Sequence, residues 1–508
     1  MAQSLPLHAT IAVVGTGAMG AGIAQVAAAA GHTVKLMDNR PQAAQAAVAS
    51  IRAQFARLAE KGKLTQEAAH AASSRLVAVA TQSELADASL VIEAIVENLQ
   101  AKQDLYRGLE DIVGDDCIFG TNTSSISVTA IGAALKHPGR LAGLHFFNPA
   151  PLMALVEVVS GLATDPHVAE TLFATAHAWG KTPVHAKSTP GFIVNRVARP
   201  YYGEALRLLT EGAANCATID AVMREAGGFR MGPFELMDMI GHDINFAVTC
   251  SVWSAFYNDP RFLPSLVQQE LVNAGFLGKK SGRGFYDYQP GATKPGPQTE
   301  SPHPLPAEIS ICGESSAANA LAQRLKTAHV AFRRDVSRDG RIAQAGGAVV
   351  FVTDGRSATQ RASESGLSNT VVIDLALDYT QAKRLAMATS AQCTEAAANE
   401  ATALLQACRV QVSRFADVPG LAVMRTVCML ANEAADAVNQ GVCSTSAADS
   451  AMLLGVNYPK GPLIWADQIG LRAVRDVLVN LGASYGEDRY RISPLISQHV
   501  FAGSSTYP

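Results

Sequence analysis

The strongest constraint on the fold is a glycine-rich turn between an apolar strand and an alanine-rich helix. Residues 11–20 read IAVVGTGAMG, and a second apolar strand, VKLM, then runs into Asp38. This order of strand, turn, helix, strand and acid is the dinucleotide-binding fingerprint of a doubly wound α/β domain. In such a turn Gly15 permits the tight bend, Gly17 leaves room for a pyrophosphate, and Gly20 lets the helix pack on the sheet.

The fingerprint predicts NAD as the cofactor. The alternative interpretation is that the glycines only form a turn. Ala18 and Met19 open the helix, whose free N–H groups attract phosphate. Asp38 can accept hydrogen bonds from both ribose hydroxyls and would repel a 2′-phosphate, although Arg40 partly neutralises it. We therefore expect NAD over NADP, and an enzyme that transfers hydride.

Composition excludes several other classes of protein. The 508 residues are 48% hydrophobic and 17% charged, with a net charge of −3 and no basic run, which argues against disorder and nucleic-acid binding. Apolar runs stay short of 18 residues, so no membrane span is expected. Eight scattered cysteines form no CxxC pair, which predicts no metal site and reduced thiols in a cytoplasmic protein.

Strands and helices alternate in the first part of the chain, and a helical part follows. Apolar strands are predicted at 11–14, 34–37, 76–79, 89–92 and 117–120, with a long helix at 41–64. The predicted organisation is a Rossmann-type NAD domain at 1–188, a helical domain for substrate binding or dimerisation at 189–290, a proline-rich linker at 291–306, a degenerate Rossmann-like domain at 307–410, and a second helical domain at 411–508.

The second helical domain is predicted because the first one recurs at a fixed offset. Pro190-Gly191 returns as Pro419-Gly420, and 419 − 190 = 229. The same offset maps Gly232-Pro233 on Gly461-Pro462. Further matches are Arg196 with Arg425, Glu204 with Glu433, Asp220 with Asp449, and Asp238 with Asp467. So many matches without a gap indicate duplication of an α/β plus all-α unit.

A candidate acid–base pair lies in LHFFNPAPLMALVEVV, residues 144–159. Two apolar runs flank a turn centred on Pro151, so a hairpin would pair residues whose numbers sum to 302. His145 and Glu157 satisfy that sum. A carboxylate beside an imidazole fixes its tautomer and raises its basicity, as a general base needs; a structural histidine near a surface acid is the alternative.

Other candidate site residues follow strands at the carboxyl edge of the sheet, where ligands bind in such folds. The segment TNTSS places Asn122, Ser124 and Ser125 there, unless a serine only caps the next helix. Glu97 and Lys102 follow the strand SLVIEAIVE and could reach the nicotinamide ribose or remain solvated charges. Asn195 in PGFIVNR starts the helical domain.

Five motifs together resemble the L-3-hydroxyacyl-CoA dehydrogenases: GTGAMGAGIAQVAA, VIEAIVENLQAK, TNTSSISVTAI, GLHFFNPAPLMALVEVV and TPGFIVNR. The resemblance runs over residues 9–288. It implies that His145 is the general base, that Glu157 orients it, and that Ser124 and Asn195 hold the reacting oxygen and thioester. By the same resemblance an NAD site is lined by Asp38, Glu97, Lys102 and Asn122, and the CoA phosphates meet Lys61 and Lys63.

The second half resembles long bacterial members of the family, among them 3-hydroxyadipyl-CoA dehydrogenases of phenylacetate breakdown. Its ICGES segment lacks two fingerprint glycines, and the offset places Asp374, Ala386 and Met424 at the positions of base, orienter and amide. This copy should therefore bind no dinucleotide.

The function implied is NAD-dependent oxidation of an L-3-hydroxyacyl-CoA to the 3-ketoacyl-CoA, as in β-oxidation of fatty acids. Three alternatives stay open: a short-chain 3-hydroxybutyryl-CoA dehydrogenase, a non-catalytic NAD-binding protein, and a dehydrogenase of free 3-hydroxyacids, which typically uses a lysine base. In the family, helical domains pair between subunits. Here they form either a homodimer or a pair within one chain.

Overall fold

The computed structural model describes residues 3–507, which divide into two compact units. The first unit consists of the chain up to Arg196 together with residues 437–456. The second unit consists of residues 197–436 together with the described residues from 457 onwards.

The part up to residue 197 alternates strands and helices. Its strands are β1 (Thr10–Val14), β2 (Val34–Met37), β3 (Leu76–Ala78), β4 (Ala88–Glu93), β5 (Ile118–Thr121), β6 (Leu141–Phe146), β7 (Leu155–Ser160) and β8 (Thr182–Lys187). Its helices are α1 (Ala18–Ala30), α2 (Ala43–Glu60), α3 (Gln66–Ser74), α4 (Leu99–Glu110), α5 (Val128–Gly132), α6 (Pro166–Ala178) and α7 (Val194–Val197).

The eight strands form one sheet in the order β3-β2-β1-β4-β5-β6-β7-β8. All neighbours are parallel except β6 and β7, which pair antiparallel. Buried side chains such as Ile11, Ile23 and Leu90 join strands and helices in a continuous core. The order reverses between β1 and β4, which is where dinucleotides bind in open α/β sheets.

One predicted element is wrong in its extent, the long helix at 41–64. Helix α2 ends at Glu60 because Gly62 adopts a positive φ of 66°, and Thr65 then caps α3 by accepting the N–H of Ala68. The alanines and leucines around the break share one periodic pattern, which hid the cap.

The remaining elements repeat this scheme in reduced form. Helices of the first helical part are α8 (Arg199–Thr210), α9 (Cys216–Glu225), α10 (Pro233–Ile240), α11 (His242–Ala255) and α12 (Leu266–Asn273). Then come β9 (Ile309–Cys312), α13 (Ser316–Thr327), β10 (Arg333–Asp335), β11 (Ala343–Ala345), β12 (Ala348–Val352), α14 (Ala358–Ser365), β13 (Thr370–Ile373), β14 (Arg384–Thr389), α15 (Glu395–Ala407) and β15 (Gln411–Arg414). The last helices are α16 (Val423–Asn439), α17 (Thr445–Gly455), α18 (Pro462–Ile469), α19 (Leu471–Tyr485) and α20 (Pro494–Ala502).

The second sheet has seven strands in the order β10-β9-β11-β12-β13-β14-β15. The short β11 pairs antiparallel with both neighbours. Helices α10 and α18 both start at Gly-Pro, with proline in the first turn. The duplicated helical sequence thus folds in the same way twice.

Each Rossmann-type part packs against a helix from the other copy. In the first unit, α17 contacts β7 and β8, and the N–H of Lys187 donates to the carbonyl of Val442 at 2.9 Å. In the second unit, α9 contacts β14, and Ala416 N–H donates to Ala213 O at 2.9 Å. These contacts correspond to each other at the offset of 229, so the compact units cut across the domains predicted from the sequence.

Candidate active site

The hairpin of β6 and β7 brings His145 opposite Glu157, as the pairing rule predicted. The imidazole Nδ1 lies 2.6 Å from Glu157 Oε2, and both side chains are buried. A carboxylate only accepts hydrogen bonds, so Nδ1 carries the proton and Nε2 is left with a lone pair. The ring centroids of Phe147 and Phe192 lie 4.5 and 5.9 Å from the centroid of the imidazole.

The second carboxylate oxygen of Glu157 fixes the helical segment that carries Asn195. Glu157 Oε1 accepts the backbone N–H groups of Ile193 and Val194, each at 3.0 Å. Asn195 follows directly, and its Nδ2 lies 3.5 Å from the carbonyl oxygen of Ser124. One buried carboxylate therefore positions both the imidazole and the amide.

Ser124 and Asn122 follow β5 at the same edge of the sheet. The Ser124 backbone N–H donates to Glu97, whereas its hydroxyl has no hydrogen-bond partner within the described residues. Asn122 Oδ1 accepts the N–H of Phe146 at 2.8 Å, which ties this loop to the strand of His145. The helix cap that the sequence left open belongs to Ser127, whose hydroxyl accepts the N–H of Ala130.

The exposed Glu97 and the buried Lys102 form a network with Glu93, which is also buried and was not predicted from the sequence. Lys102 Nζ lies 2.6 Å from Glu93 Oε1 and 3.2 Å from Glu97 Oε2. Burial opposes the charge of Glu97, but hydrogen bonds from Thr123 and the charge of Lys102 outweigh it and lower the pKa of Glu97. Lys102 is only 1% exposed, so its ammonium group contacts the Glu97 carboxylate from the buried side. An acid at the end of an apolar strand was the available signal for Glu93.

The fingerprint turn has the shape of a phosphate cradle. Gly15 has a φ of +94°, and a Cβ at Gly20 would lie 1.8 Å from the carbonyl oxygen of Gly15. A Cβ at Gly17 would meet nothing within 4 Å, so space remains beside the backbone. Helix α1, which begins with Ala18 and Met19, has no side-chain cap. These residues fit a dinucleotide pyrophosphate.

Asp38 at the end of β2 is held from two sides. It accepts hydrogen bonds from the Thr16 backbone N–H at 2.8 Å and from the Thr16 hydroxyl at 2.7 Å. Arg40, which is largely exposed, binds the carboxylate through Nε and Nη2. The Arg40 guanidinium, aided by Thr16, holds the pKa of Asp38 well below its usual range. The acid is ionised and oriented at neutral pH.

A cavity of about 1290 Å³ lies in the first unit between α1, α2 and the loop after β6. Among its lining residues are Arg57 and Lys61 on the α2 side and Asn148 three residues beyond His145. Lys63 is exposed and is absent from the lining. The sequence did not single out Arg57, because it lies in a helix whose charged residues are spaced as on any solvent-exposed helix face.

In the second copy the corresponding positions carry no acid–base pair. The N–H of Asp374 donates to Ala386 O at 3.0 Å, so these residues are opposite each other, as the offset predicted. Asp374 is fully buried and accepts the backbone N–H groups of Ala422, Val423 and Met424.

Some kinds of site are absent from the described residues. Within 3–507, no group of three His, Cys, Asp or Glu side chains could hold a metal ion, and none of the helices is long and apolar enough to cross a membrane.

Comparison with known proteins agrees with this geometry. Residues 10–189 match the model of the 3-hydroxyacyl-CoA dehydrogenase NAD binding domain, and residues 191–288 and 420–506 match its C-terminal domain. Residues 350–419 match the reduced Rossmann-fold domain of 3-hydroxybutyryl-CoA dehydrogenase. One model thus recognises both helical parts, which confirms the duplication.

Two of the relatives match nearly the whole chain, and a third matches about half of it. The 3-hydroxyadipyl-CoA dehydrogenase of Escherichia coli is 45% identical over 495 residues, covering 97% of this chain and 98% of its own. A crystal structure of 3-hydroxybutyryl-CoA dehydrogenase from Escherichia coli K12 has a TM-score of 0.89 at 44% identity, over 97% of this chain and 98% of its own. A probable 3-hydroxybutyryl-CoA dehydrogenase of Bacillus subtilis is 42% identical and covers 55% of this chain and 97% of its own.

The NAD-binding fold, the duplicated helical part and the near full-length identity lead to one conclusion. The chain belongs to the 3-hydroxyacyl-CoA dehydrogenase family, as an NAD-dependent member of the long form with a reduced second Rossmann-type domain.

Proposed function

We propose that this dehydrogenase oxidises the C3 hydroxyl of 3-hydroxyadipyl-CoA, as an enzyme of phenylacetate breakdown. The observation that carries the choice is the 45% identity over 97% of the chain with the Escherichia coli enzyme of that name. A 3-hydroxybutyryl-CoA dehydrogenase is the second candidate, because the similar crystal structure is described by that activity.

In this proposal His145 removes the proton of the substrate hydroxyl through Nε2. Its Nδ1 faces Glu157 at 2.6 Å, so the imidazolium that forms is stabilised by a carboxylate already in place. A charge that appears only during the reaction is stabilised without tightening the ground state. This pair also argues against a non-catalytic NAD-binding protein and against a lysine-dependent dehydrogenase of free acids.

Ser124 and Asn195 are proposed to hold the reacting oxygen and the thioester. The free Ser124 hydroxyl and the Asn195 amide, whose Nδ2 lies 3.5 Å from Ser124 O, can both donate to an acyl oxygen. Asn122 keeps their loop aligned with His145 through Phe146.

The residues that would hold NAD are those of the fingerprint turn, Asp38, Asn122 and Glu97, with the buried Lys102 keeping Glu97 in place. NAD supplies the hydride acceptor when it is bound. Gly17 leaves the backbone accessible, and Asp38 presents a carboxylate to the adenine ribose. Glu97 accepts hydrogen bonds from Thr123 and Ser125, so it also shapes the loop of Ser124.

CoA is proposed to lie in the part of the 1290 Å³ cavity next to α2, with its phosphates near Arg57 and Lys61, whereas Thr16, Gly17 and Ala18 in the same lining are left to NAD. Lys63 is exposed near this end of α2 and would add long-range attraction. The second copy is proposed to be structural, since Asp374 replaces the base. The free thiols of all eight cysteines suit a cytoplasmic setting.

Rates with 3-hydroxybutyryl-, 3-hydroxyadipyl- and 3-hydroxydecanoyl-CoA, followed by NADH formation, test the proposal. We expect the highest kcat/KM with 3-hydroxyadipyl-CoA. A higher kcat/KM with 3-hydroxybutyryl-CoA would select the second candidate, and no NADH with any of them would contradict both.

A further inference from the structure

Lys181 in the first unit is a buried cation without a carboxylate partner. The residue is 8% exposed, and its Nζ donates to the carbonyl oxygens of Ala150 at 2.6 Å and Met153 at 2.9 Å. Burial lowers the pKa of Lys181, and no carboxylate among the described residues counteracts this. An ammonium group has three N–H donors, so one of them is left for another acceptor.

A second unused polar group, the side-chain amide of Gln25, belongs to the same surroundings. Gln25 is 6% exposed and makes no hydrogen bond through its side chain within the described chain. It lies in α1 about one turn beyond Gly22, where a Cβ would be 3.1 Å from Pro151 Cδ and 3.2 Å from Ala150 Cβ. Helix α1 therefore touches the turn that Lys181 holds. Buried polar groups are normally hydrogen-bonded, so these unused donors indicate a ligand.

Both side chains line the 1290 Å³ cavity, in a part that the function proposed above leaves unassigned. The neighbouring wall consists of small and apolar residues such as Val26, Ala29 and Pro151. None of the described residues in the lining is Asp or Glu. Hydrogen-bond donors and one amide oxygen on an apolar surface suit a slim chain that carries amide groups, and they disfavour a cation.

We propose that Lys181 and Gln25 bind an amide of the pantetheine arm of CoA. The amide carbonyl accepts the free N–H of Lys181, and the amide N–H donates to Gln25 Oε1. This inference rests on the CoA site proposed above. With its phosphates near Lys61, CoA extends its arm across the cavity to Asn148, three residues beyond His145. A phosphate oxygen of CoA is the other source of an acceptor for Lys181.

The test uses thioesters of the 3-hydroxyacyl group that the wild type oxidises best, made with CoA, with pantetheine and with 1-propanethiol. The second lacks the phosphates, and the third lacks the amides as well. In Gln25→Met the ratio of kcat/KM for the pantetheine thioester to that for the propanethiol thioester should fall roughly 3- to 10-fold, as for one neutral hydrogen bond. In Lys181→Met it should fall about 10- to 100-fold, because the donor is charged.

The ratio of kcat/KM for the CoA thioester to that for the pantetheine thioester separates the two sources. Gln25→Met and Lys181→Met should leave this ratio unchanged, and a fall in Lys181→Met would assign Lys181 to a phosphate instead. The matched control is Lys61→Met, an exposed lysine of the same cavity, which should keep the pantetheine-to-propanethiol ratio. Equal losses with all three thioesters, or no loss in either variant, would show that the proposed site is wrong.

Binding without turnover distinguishes this site from the proposed function. Free pantetheine should raise the Tm of the wild type, and Lys181→Met should abolish the rise. If no thioester yields NADH, the proposed function fails, whereas the pantetheine measurement still decides on the site. Should Lys181→Met fold poorly, Gln25→Met alone is decisive, because it breaks no hydrogen bond of the described chain. Equal stabilisation of this variant and the wild type by pantetheine would overturn the site.

Discussion

Asp374 accepts, in the second copy, the backbone N–H groups that correspond to those held by Glu157 in the first. Glu157 binds Ile193 and Val194, and Asp374 binds the equivalent Ala422 and Val423. The two carboxylates stand on opposite strands of their hairpins, since Asp374 occupies the position of His145. The second copy has therefore kept the anchor of the helical segment while losing the base.

This anchor predicts a pH-dependent stability. Burial raises the pKa of Asp374 to about 6 despite four backbone N–H donors. A raised carboxyl pKa means that the folded state binds the proton more tightly than the unfolded state. The contribution of Asp374 to the free energy of unfolding is therefore complete below about pH 4 and is lost as pH rises towards 6. The loss should be about 3 kcal/mol. The Tm of the wild type relative to Asp374→Asn should fall between pH 4 and pH 6 and stay constant above pH 7; an unchanged difference would contradict the assignment.

The acid–base pair predicts graded losses of activity. His145→Ala should lower kcat by roughly 10²–10⁴-fold, the usual contribution of a general base, while NADH affinity changes little. Glu157→Gln should lower kcat less. The amide oxygen can still accept a hydrogen bond on one side of the side chain, although the NH₂ group then faces an N–H donor on the other side. Stopped-flow rates and NADH titration of both variants measure these effects. Near-normal turnover of His145→Ala would refute the role of the hairpin.

Asp38 predicts the choice of cofactor. Its carboxylate is ionised and oriented by Thr16, so a 2′-phosphate would meet a negative charge. Asp38→Ala removes that charge and releases Arg40, which should narrow the preference for NAD over NADP by at least about tenfold. The ratio of kcat/KM for the two cofactors measures it, with Arg40→Ala as the control that should widen the preference. Equal use of both cofactors by the wild type would exclude this role.

The degenerate copy predicts one NAD site per chain. Its turn reads Gly313-Glu314-Ser315, and Ser315 already caps α13 by accepting the N–H of Ala318. The first N–H groups of that helix are thus partly satisfied, and no open glycine corresponds to Gly17. Calorimetric titration with NADH should give a stoichiometry near one, and two equivalent sites would contradict it.

Gly455 lies where the degenerate half of the chain packs closely against β7, the strand that carries Glu157. A Cβ there would lie 2.8 Å from Leu155 Cδ2 and 3.0 Å from Val194 Cγ2, so Gly455→Val should lower both Tm and kcat. As a control, Gly482→Ala lies in α19, where its Cβ would make an ordinary 3.9 Å contact, and should keep kcat while holding or raising Tm. A fully active Gly455→Val enzyme would show that this contact is unimportant.

Local sequence predicted the parts of the molecule that depend on local interactions. The first strands, the fingerprint turn and the register of His145 with Glu157 follow from apolar alternation and turn chemistry. The network of Glu93 with Lys102 and the cavity position of Arg57 depend on residues that are far apart in the chain. The packing of α17 on β7 could not be predicted either, because periodicity shows that a helix has a buried face but not which strand covers that face.

The packing of α17 on β7 and β8 has a consequence for how the enzyme responds to dilution. The helix that covers the back of the Glu157 strand is encoded about 290 residues later in the same chain. Its local concentration is set by covalent connection and not by how much protein is present. Turnover per chain should therefore be independent of protein concentration, and a substitution late in the sequence can impair chemistry carried out near its beginning.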